Sequence, residues 1–251
     1  MEKFPQPEQA VLCATCLARR YSLCHATIET VLEGSSYTMA PLLASSALTV
    51  PAQQIIYSET DLHDFVTIIG RGWAMREVIL ADGRRQIMQF LLPGDIIFSA
   101  LKPESTSKSA LRTITEVVCR TFNRNEFMTV LFKHSDLFDE LLEVWAEEKR
   151  QADQRAVDLG RHTAKQRIAR LLIYLYERLA SRGLTSGQVI DFPLRQRHIA
   201  DATGSHFVLV SRVLSEFHSA GLIEISRNRT LMIRDFMRLR SAGNMDLAAQ
   251  S

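Results

Sequence analysis

A chain of 251 residues, of which 46% are hydrophobic and 23% charged, is ordinary globular material with room for two modest domains that each bury a core. Its first residues lack the basic segment and apolar run of a signal peptide, and no later stretch approaches the ~20 uncharged apolar residues that span a bilayer. These features argue against a secreted or membrane-spanning protein, and we expect a soluble, cytoplasmic one.

The formal net charge of +2 conceals an uneven distribution along the chain. Residues 1–160 hold 16 Lys and Arg against 21 Asp and Glu, whereas residues 161–240 hold 14 against 6. A basic C-terminal third is typical of nucleic-acid-binding domains. Short helical domains also carry excess arginine without binding phosphate, so the charge alone leaves both interpretations open.

The first half of the chain reads as a short head followed by strands. Residues 1–26 carry three of the four cysteines, and residues 27–45 could supply short helices or loops. From about Ala47 to Phe127, short runs rich in Val, Ile, Phe and Thr are separated by turn signals such as ADGRR and LPGD. This spacing predicts an antiparallel barrel or sandwich, with strands in QQIIY, DFVTIIG, MREVIL, RQIMQFL, DIIF and EVVCRTF.

A long helix follows. The pattern becomes helical from Asn125, and the segment from Ser135 to about Arg161 contains no Pro and no Gly before Gly160. It predicts a helix of roughly 26 residues, about 40 Å long, which is too long to lie within one small domain. Its apolar stripe is interrupted by charge, as suits a homodimer seam that can be switched, although a solvated face is the alternative. The predicted seam comprises Leu137, Leu141, Val144, Trp145, Glu148, Ala152, Arg155 and Leu159.

The segment from Leu194 to Asp235 has the spacing of a winged helix-turn-helix. It follows an amphipathic helix at Lys165 to Leu179 and a short strand at Val189 to Phe192. A short helix containing Ile199 and Ala200 turns at Gly204, where positive φ is needed, and a second helix starts at Ser205 or His206. The runs LIEIS and TLMIRD then alternate around the basic turn RNR and predict a two-stranded wing.

The second of these helices is the candidate reader of DNA. A recognition helix presents its N-terminal outward side chains to base edges in the major groove, and here these are Phe207, Val208, Ser211 and Arg212. Arg212 can donate two hydrogen bonds to guanine O6 and N7, worth ~1–3 kcal/mol of discrimination. A surface arginine that is merely solvated is the plainer alternative. The candidate phosphate contacts are Arg195, Arg197, His206 and Arg229.

The cysteines form a second constellation. Cys13, Cys16 and Cys24 follow the pattern C-x-x-C-x7-C, and Cys119 lies far away in a predicted strand. In a reducing cytosol, clustered thiolates indicate a soft metal or a cluster, and four of them suit either tetrahedral zinc or an iron-sulfur cube. The alternative is that Cys119 is a buried core thiol and the head cysteines are accidental neighbours.

The order of these parts resembles the CRP/FNR superfamily over nearly the whole chain. The features that carry the resemblance are the cysteine-rich head, the run LPGDIIF, the long helix and the Ser-Arg of VLVSRVL. The resemblance implies an α+β fold with a β-roll sensor domain similar to cyclic-nucleotide-binding domains. The implied boundaries are a head at 1–26, the β-roll at 27–132, the dimerisation helix at 133–161, the winged helix-turn-helix at 162–240 and a tail at 241–251.

Within that superfamily, the four cysteines are similar to the ligands of the FNR branch, and the wide gap before Cys24 resembles FnrN and FixK relatives. This likeness implies an oxygen-labile 4Fe-4S cluster that favours the dimer, an activator that works with RNA polymerase, and a palindrome of two TTGAT-like half-sites. Ser211 and Arg212 match the family's base-reading pair. The family usually has Glu where this chain has Val208, which cannot accept a hydrogen bond from cytosine or adenine, so the middle of the half-site is in doubt.

The sequence also bears on other sensing modes and other classes of protein. Lys108-Ser109-Ala110 resembles the Arg-Ser-Ala of cyclic-nucleotide cassettes, but lysine lacks the bidentate fork and the preceding Gly-Glu-Leu is missing, which argues against nucleotide control. A regulator with structural zinc, haem or another small-molecule signal is the main alternative. An enzyme that uses the cysteines as redox catalysts is disfavoured, because no phosphate loop or nucleophile elbow is present and Cys-x-x-Cys lies in a head.

Overall fold

The computed structural model describes residues 46–58, 65–98, 109–133 and 135–245. The head with Cys13, Cys16 and Cys24, the segment 27–45 and Lys108 lie outside the described residues, as does the side chain of Leu137. No helix in the described ranges combines the length and the apolar character that crossing a membrane requires.

The described residues form a strand-rich half followed by a mainly helical half. The strands are β1 Ser46–Val50, β2 Ile55–Tyr57, β3 Phe65–Arg71, β4 Ala74–Ile79, β5 Arg85–Leu91, β6 Ile96–Phe98, β7 Ala110–Thr113, β8 Val117–Asn123, β9 Thr185–Ser186, β10 Val189–Asp191, β11 Ile223–Ile225 and β12 Thr230–Ile233. The helices are α1 Arg124–Lys133, α2 Ser135–Arg161, α3 Ala164–Ala180, α4 Gln196–Thr203, α5 Phe207–Ser219 and α6 Phe236–Ala242.

The chain divides into two compact units. The first comprises residues 1–79 and 88–148, and the second comprises residues 80–87 and 149–251. The β4–β5 hairpin tip therefore counts with the second unit, and the division on the C-terminal side falls inside α2.

Two four-stranded antiparallel sheets build the first unit, in the orders β1-β8-β3-β6 and β2-β7-β4-β5. A cluster between them takes buried side chains from strands of both sheets, among them Tyr57, Ile69, Leu111 and Cys119. Successive residues of a strand point to opposite faces, so Ile68 packs on the other side, where α1 and α2 cover the first sheet. This second cluster comprises Val66, Ile68, Ile96, Phe122, Phe127, Leu131 and Leu141.

The second unit is built around α3. The helix begins at a capping box, in which the backbone N–H of Gln166 donates to Thr163 Oγ1 at 3.3 Å and Thr163 N–H donates to Gln166 Oε1 at 2.8 Å. Its buried stripe comprises Ile168, Ala169, Leu172, Ile173, Leu175 and Leu179. This apolar face packs against α4, α5 and α6, while the sheet β11-β12-β10-β9 completes the unit.

The α+β fold with a β-rich N-terminal domain and a C-terminal helix-turn-helix is confirmed. Each predicted strand is present within one or two residues of its expected bounds, and RQIMQFL forms β5 exactly as written. The strand analysis missed β1 and β7. SALTV and ALRT are short and only half apolar, and it is their ladders to β8 and β4 that make them strands.

Candidate nucleic-acid interface

The turn between α4 and α5 has the geometry that the sequence requires. Gly204 ends α4 in the left-handed region with φ 57°, and its N–H donates to the carbonyl of Ala200. An added Cβ at this position would lie 3.2 Å from Leu159 Cδ2. Two residues later His206 caps α5, where its Nδ1 accepts from the backbone N–H of Val208 at 3.4 Å. The tight turn therefore sets the angle at which α5 leaves α4.

The structure brings all four base-reading candidates together on the first turns of α5. Phe207 and Val208 expose more than half of their surface, an unusual position for large apolar side chains. Ser211 is half-buried, and the Arg212 side chain is 77% exposed. The opposite face, with Val210, Val213, Leu214 and Phe217, is buried as predicted. The exposed face of α5 is therefore available to a groove.

Arg212 does not stand alone on this face. Its Nε lies 3.3 Å from Oε1 of Glu216, one helical turn further along α5. Oε2 of Glu216 accepts from Nζ of Lys165 on α3 at 3.0 Å. The sequence analysis did not include Glu216 or Lys165 among the site residues. The four-residue spacing between Arg212 and Glu216 was a readable signal for the first contact, whereas the second requires the packing of α3 on α5.

The candidate phosphate contacts surround α5 on three separate elements. Arg195 and Arg197 are exposed at the start of α4, and His206 is exposed at the start of α5. Arg229 lies in the wing turn with φ 58°, and its backbone N–H donates to the Ser226 carbonyl at 3.2 Å. All four side chains are exposed and therefore accessible to a charged partner.

The wing is a short hairpin with a closed turn. The backbone N–H of Ser226 donates to the carbonyl of Thr230 at 2.9 Å, and the two hydroxyls lie 2.8 Å apart. Phe192, just after β10, donates its N–H to the carbonyl of Arg229 at 2.7 Å. These bonds hold the basic turn at the edge of the third sheet.

One buried imidazole lies under this surface. The ring of His198 on α4 is almost fully buried, and its Nδ1 accepts from the backbone N–H of Arg195 at 3.2 Å. Burial, aided by the positive charges of Arg85, Arg197 and Arg195, lowers the pKa of His198 to about 4. Arg85 belongs to the same compact unit and lies 2.6 Å from Asp201 on α4. His198 is therefore neutral at pH 7 and caps α4.

Within the second unit, charged side chains join the end of α2 to α3. Asp158 accepts from Arg170 Nε at 2.8 Å and lies 3.0 Å from His162 Nδ1. Arg167 on α3 donates to the His162 carbonyl at 2.8 Å and reaches the Gly204 carbonyl at 3.4 Å. Arg167 therefore connects the residue that follows α2 to the turn before α5.

The structure separates the predicted seam residues of α2. Leu141 is fully buried in the core of its own chain, and Val144 and Trp145 pack against that core. Glu148 accepts from Gln89 at 3.3 Å. These four positions contact the β-roll of their own chain. Arg155 is half-buried, whereas Ala152 and Leu159 are exposed on the later turns.

Of the four cysteines, the structure describes Cys119. Its thiol is fully buried on β8, where the residue pairs with Leu48 and Ile69 on the neighbouring strands and Sγ lies 3.7 Å from the Leu48 carbonyl oxygen. Desolvation raises the pKa of the Cys119 thiol to about 11. Within the described ranges, no group of three or more His, Cys, Asp or Glu side chains is placed to hold a metal ion. Cys119 is therefore a buried core residue, and the three head cysteines lie outside the described residues.

Comparison with known protein families supports this assembly. The family of Crp-like helix-turn-helix domains matches residues 166–242, which include α4, α5 and the wing. The family of cyclic nucleotide-binding domains matches residues 47–134, the β-roll.

Individual proteins extend the match over most of the chain. The chain is 31% identical over 190 residues to the transcriptional activator protein FnrL of Cereibacter sphaeroides, which covers 74% of this chain and 75% of FnrL. It is 30% identical over 189 residues to the nitrogen fixation regulation protein FixK of Rhizobium meliloti, covering 75% of this chain and 83% of FixK. Among solved structures, FixK2 from Bradyrhizobium japonicum matches with a TM-score of 0.71 and 28% identity, over 82% of this chain and 99% of FixK2. The chain therefore belongs to the CRP/FNR family, in its FNR/FixK branch, whose members are transcription regulators and not enzymes.

Proposed function

We propose that this protein is a transcription activator that binds a palindromic, FNR-box-like DNA site as a homodimer. The observation that carries the proposal is the exposed N-terminal face of α5, where Arg212, Ser211 and the apolar pair Phe207 and Val208 lie side by side. A major groove about 12 Å wide admits such a helix. Two copies related by a two-fold axis would place their α5 helices in grooves about 34 Å apart.

Each side chain on this face has a distinct task. Arg212 pairs with guanine through two donors, and the Ser211 hydroxyl contacts a neighbouring base. Val208 and Phe207 offer apolar surface, which suits a thymine methyl group. Because Val208 cannot accept a hydrogen bond, the protein is expected to tolerate more base pairs at the position where family members with Glu select one.

Substitution of Arg212 tests the proposed reading of guanine. We expect Arg212→Ala to lose ~5- to 150-fold in affinity per half-site for a duplex with two TTGAT-like half-sites, because the bidentate contact is worth ~1–3 kcal/mol. The same variant should bind a duplex with that guanine replaced as well as the parent does. The measurement is fluorescence anisotropy at fixed salt.

Arg197→Ala is the control for a phosphate contact. It should weaken binding to all duplexes alike and reduce the slope of log K against log salt by about 0.9 per contact. If Arg212→Ala retained full discrimination, α5 would not be reading the guanine and the proposal would be overturned.

We also propose that Cys13, Cys16, Cys24 and Cys119 hold a 4Fe-4S cluster, which makes DNA binding responsive to oxygen. What supports this is the donor chemistry, since four thiolates suit such a cluster, together with the branch of the family to which the chain belongs. When bound, the cluster supplies an oxygen-labile link between the head and the sheet domain. Cys119 lies in a dry core, which limits access of solvent to its side of the site.

Metal analysis separates this proposal from the zinc alternative. The protein is purified without air, assayed for iron, sulfide and zinc, and its visible spectrum is recorded before and after exposure to air. Near-equal iron and sulfide with broad absorbance that bleaches in air supports the cluster. Zinc without visible absorbance would leave a DNA-binding regulator with another signal.

Two cysteine variants refine this test. Cys24→Ala and Cys119→Val should each lose iron and sulfide, and valine keeps the buried position of Cys119 filled, so that loss of packing is not the cause. Retention of the full cluster by either variant would remove that residue from the ligand set.

A further inference from the structure

Glu216 contacts Arg212, and Lys165 in turn contacts Glu216. The contact of Arg212 with Glu216 uses Nε, at 3.3 Å, and Lys165 occupies the other carboxylate oxygen at 3.0 Å. The Lys165 amine also lies 5.7 Å from the centroid of the Phe217 ring, the residue next to Glu216. Glu216 is therefore held between a cation on its own helix and a cation on α3.

Because Arg212 contacts Glu216 through Nε, the two terminal amino groups of its guanidinium remain available within the described residues. A guanidinium has five N–H donors, and a contact through Nε leaves the two terminal amino groups available. Those two groups form the fork that meets O6 and N7 of guanine. A side chain that is already aligned loses less conformational entropy on binding than one that is free to rotate.

The position of Lys165 also reduces the electrostatic repulsion between Glu216 and DNA. A carboxylate on the face of a recognition helix repels DNA phosphates, and Lys165 offsets that charge from the neighbouring helix. The hydrogen bond and charge of Lys165, with a smaller effect of Arg212, keep the pKa of Glu216 below its ordinary value. Glu216 is therefore a carboxylate throughout the neutral range.

We propose that Glu216, held in place by Lys165, is a specificity-determining positioning residue that aligns Arg212 for guanine. The inference rests on the proposed function, in which Arg212 reads a guanine. It differs from a simple surface ion pair, because such pairs contribute little and would leave the choice of base unchanged.

The test is a ratio of two dissociation constants. The constant for a duplex in which the contacted guanine pair is replaced by an adenine pair is divided by the constant for a duplex with TTGAT-like half-sites. In Glu216→Gln we expect this ratio to fall about threefold to tenfold per half-site, a part of the ~5- to 150-fold that the arginine contact supplies. Lys165→Met should lower it by a smaller factor. Both constants come from one preparation, so a partly unfolded sample does not change the ratio.

Glu177→Gln is the matched control. Glu177 has a similar exposure, 47% against 40% for Glu216, and accepts from Arg240 at 2.9 Å. It lies twelve residues after Lys165 on α3, or about 18 Å along the helix, and should leave the ratio unchanged. If Glu216→Gln raised the affinity for both duplexes equally, its role would be purely electrostatic and the inference would be overturned. If Arg212→Ala itself left the ratio unchanged, the proposed function would fail instead.

Discussion

The buried imidazole of His198 makes the stability of the helix-turn-helix depend on pH. The Nδ1 of His198 accepts from a backbone N–H, so the neutral ring carries its proton on Nε2, which has no hydrogen-bond partner among the described residues. Burial and three nearby arginines lower its folded-state pKa to about 4 from an unfolded-state value of 6.5. The unfolded chain therefore takes up a proton between these two values, while the folded protein does not.

We expect the free energy of unfolding to fall as the pH drops from about 6.5 to about 4, with a contribution from His198 on the order of 3 kcal/mol. Above pH 6.5 the ring contributes no pH dependence. In His198→Gln, the glutamine can still accept from the Arg195 N–H, as glutamine does in a capping box, but it does not titrate. Urea unfolding at pH 7 and pH 5 compares the two proteins. Parallel losses of stability in both would show that His198 titrates normally in the folded protein.

At the scale of elements, Gly204 and Gly160 lie at the ends of two helices in backbone conformations that favour different residues. Gly204 has φ 57° and packs near Leu159, whereas Gly160 lies within α2 and an added Cβ there would meet nothing within 4 Å. The left-handed region favours glycine, and a regular helix favours alanine.

We predict that Gly204→Ala lowers the free energy of unfolding by about 1–2 kcal/mol, because alanine is strained at positive φ and Leu159 must move. Gly160→Ala should raise it by about 0.5–1 kcal/mol, because alanine loses less backbone entropy in a helix. Thermal or urea unfolding measures both variants. Equal effects of the same sign at the two positions would contradict the assigned turn geometry.

At the scale of the whole molecule, the proposed homodimer depends on which face of α2 meets a second copy. Leu141 is buried against the β-roll of the same chain, and Val144 and Trp145 are half-buried against it. The exposed positions with small or apolar side chains recur at three- and four-residue intervals instead, as a helix–helix seam requires. On the later turns of α2 they are Ala152, Ala156 and Leu159.

We predict that Ala152→Glu shifts the protein toward monomers, because the added charge would be buried between two helices. Val157→Glu is the control, since Val157 is also exposed to solvent but lies about 140° around the helix from Ala152. Sedimentation velocity of both variants, with and without air, gives the dimer fractions. A dimer that tolerates Ala152→Glu and is lost in Val157→Glu would place the seam on the other face.

The sequence by itself determined the order of the parts and most of the reading surface. Periodicity separated strands from helices, Gly204 located the turn, and the outward residues after it identified Phe207, Val208, Ser211 and Arg212. These features are local, because each depends on neighbours within one or two turns of the same element.

Only the tertiary structure decided which face of each element is covered and by what. The spacing of the stripe on α2 is the same whether it meets a second helix or a sheet, and the structure shows that its first half packs against the sheet of its own chain, near Phe98 and Phe127. In the same way, Arg212 is visible in the sequence, but its support by Lys165, 47 residues earlier, exists only because α3 packs on α5. Contacts between residues distant in the chain are set by how apolar faces pack, and a single sequence records the faces without recording their partners.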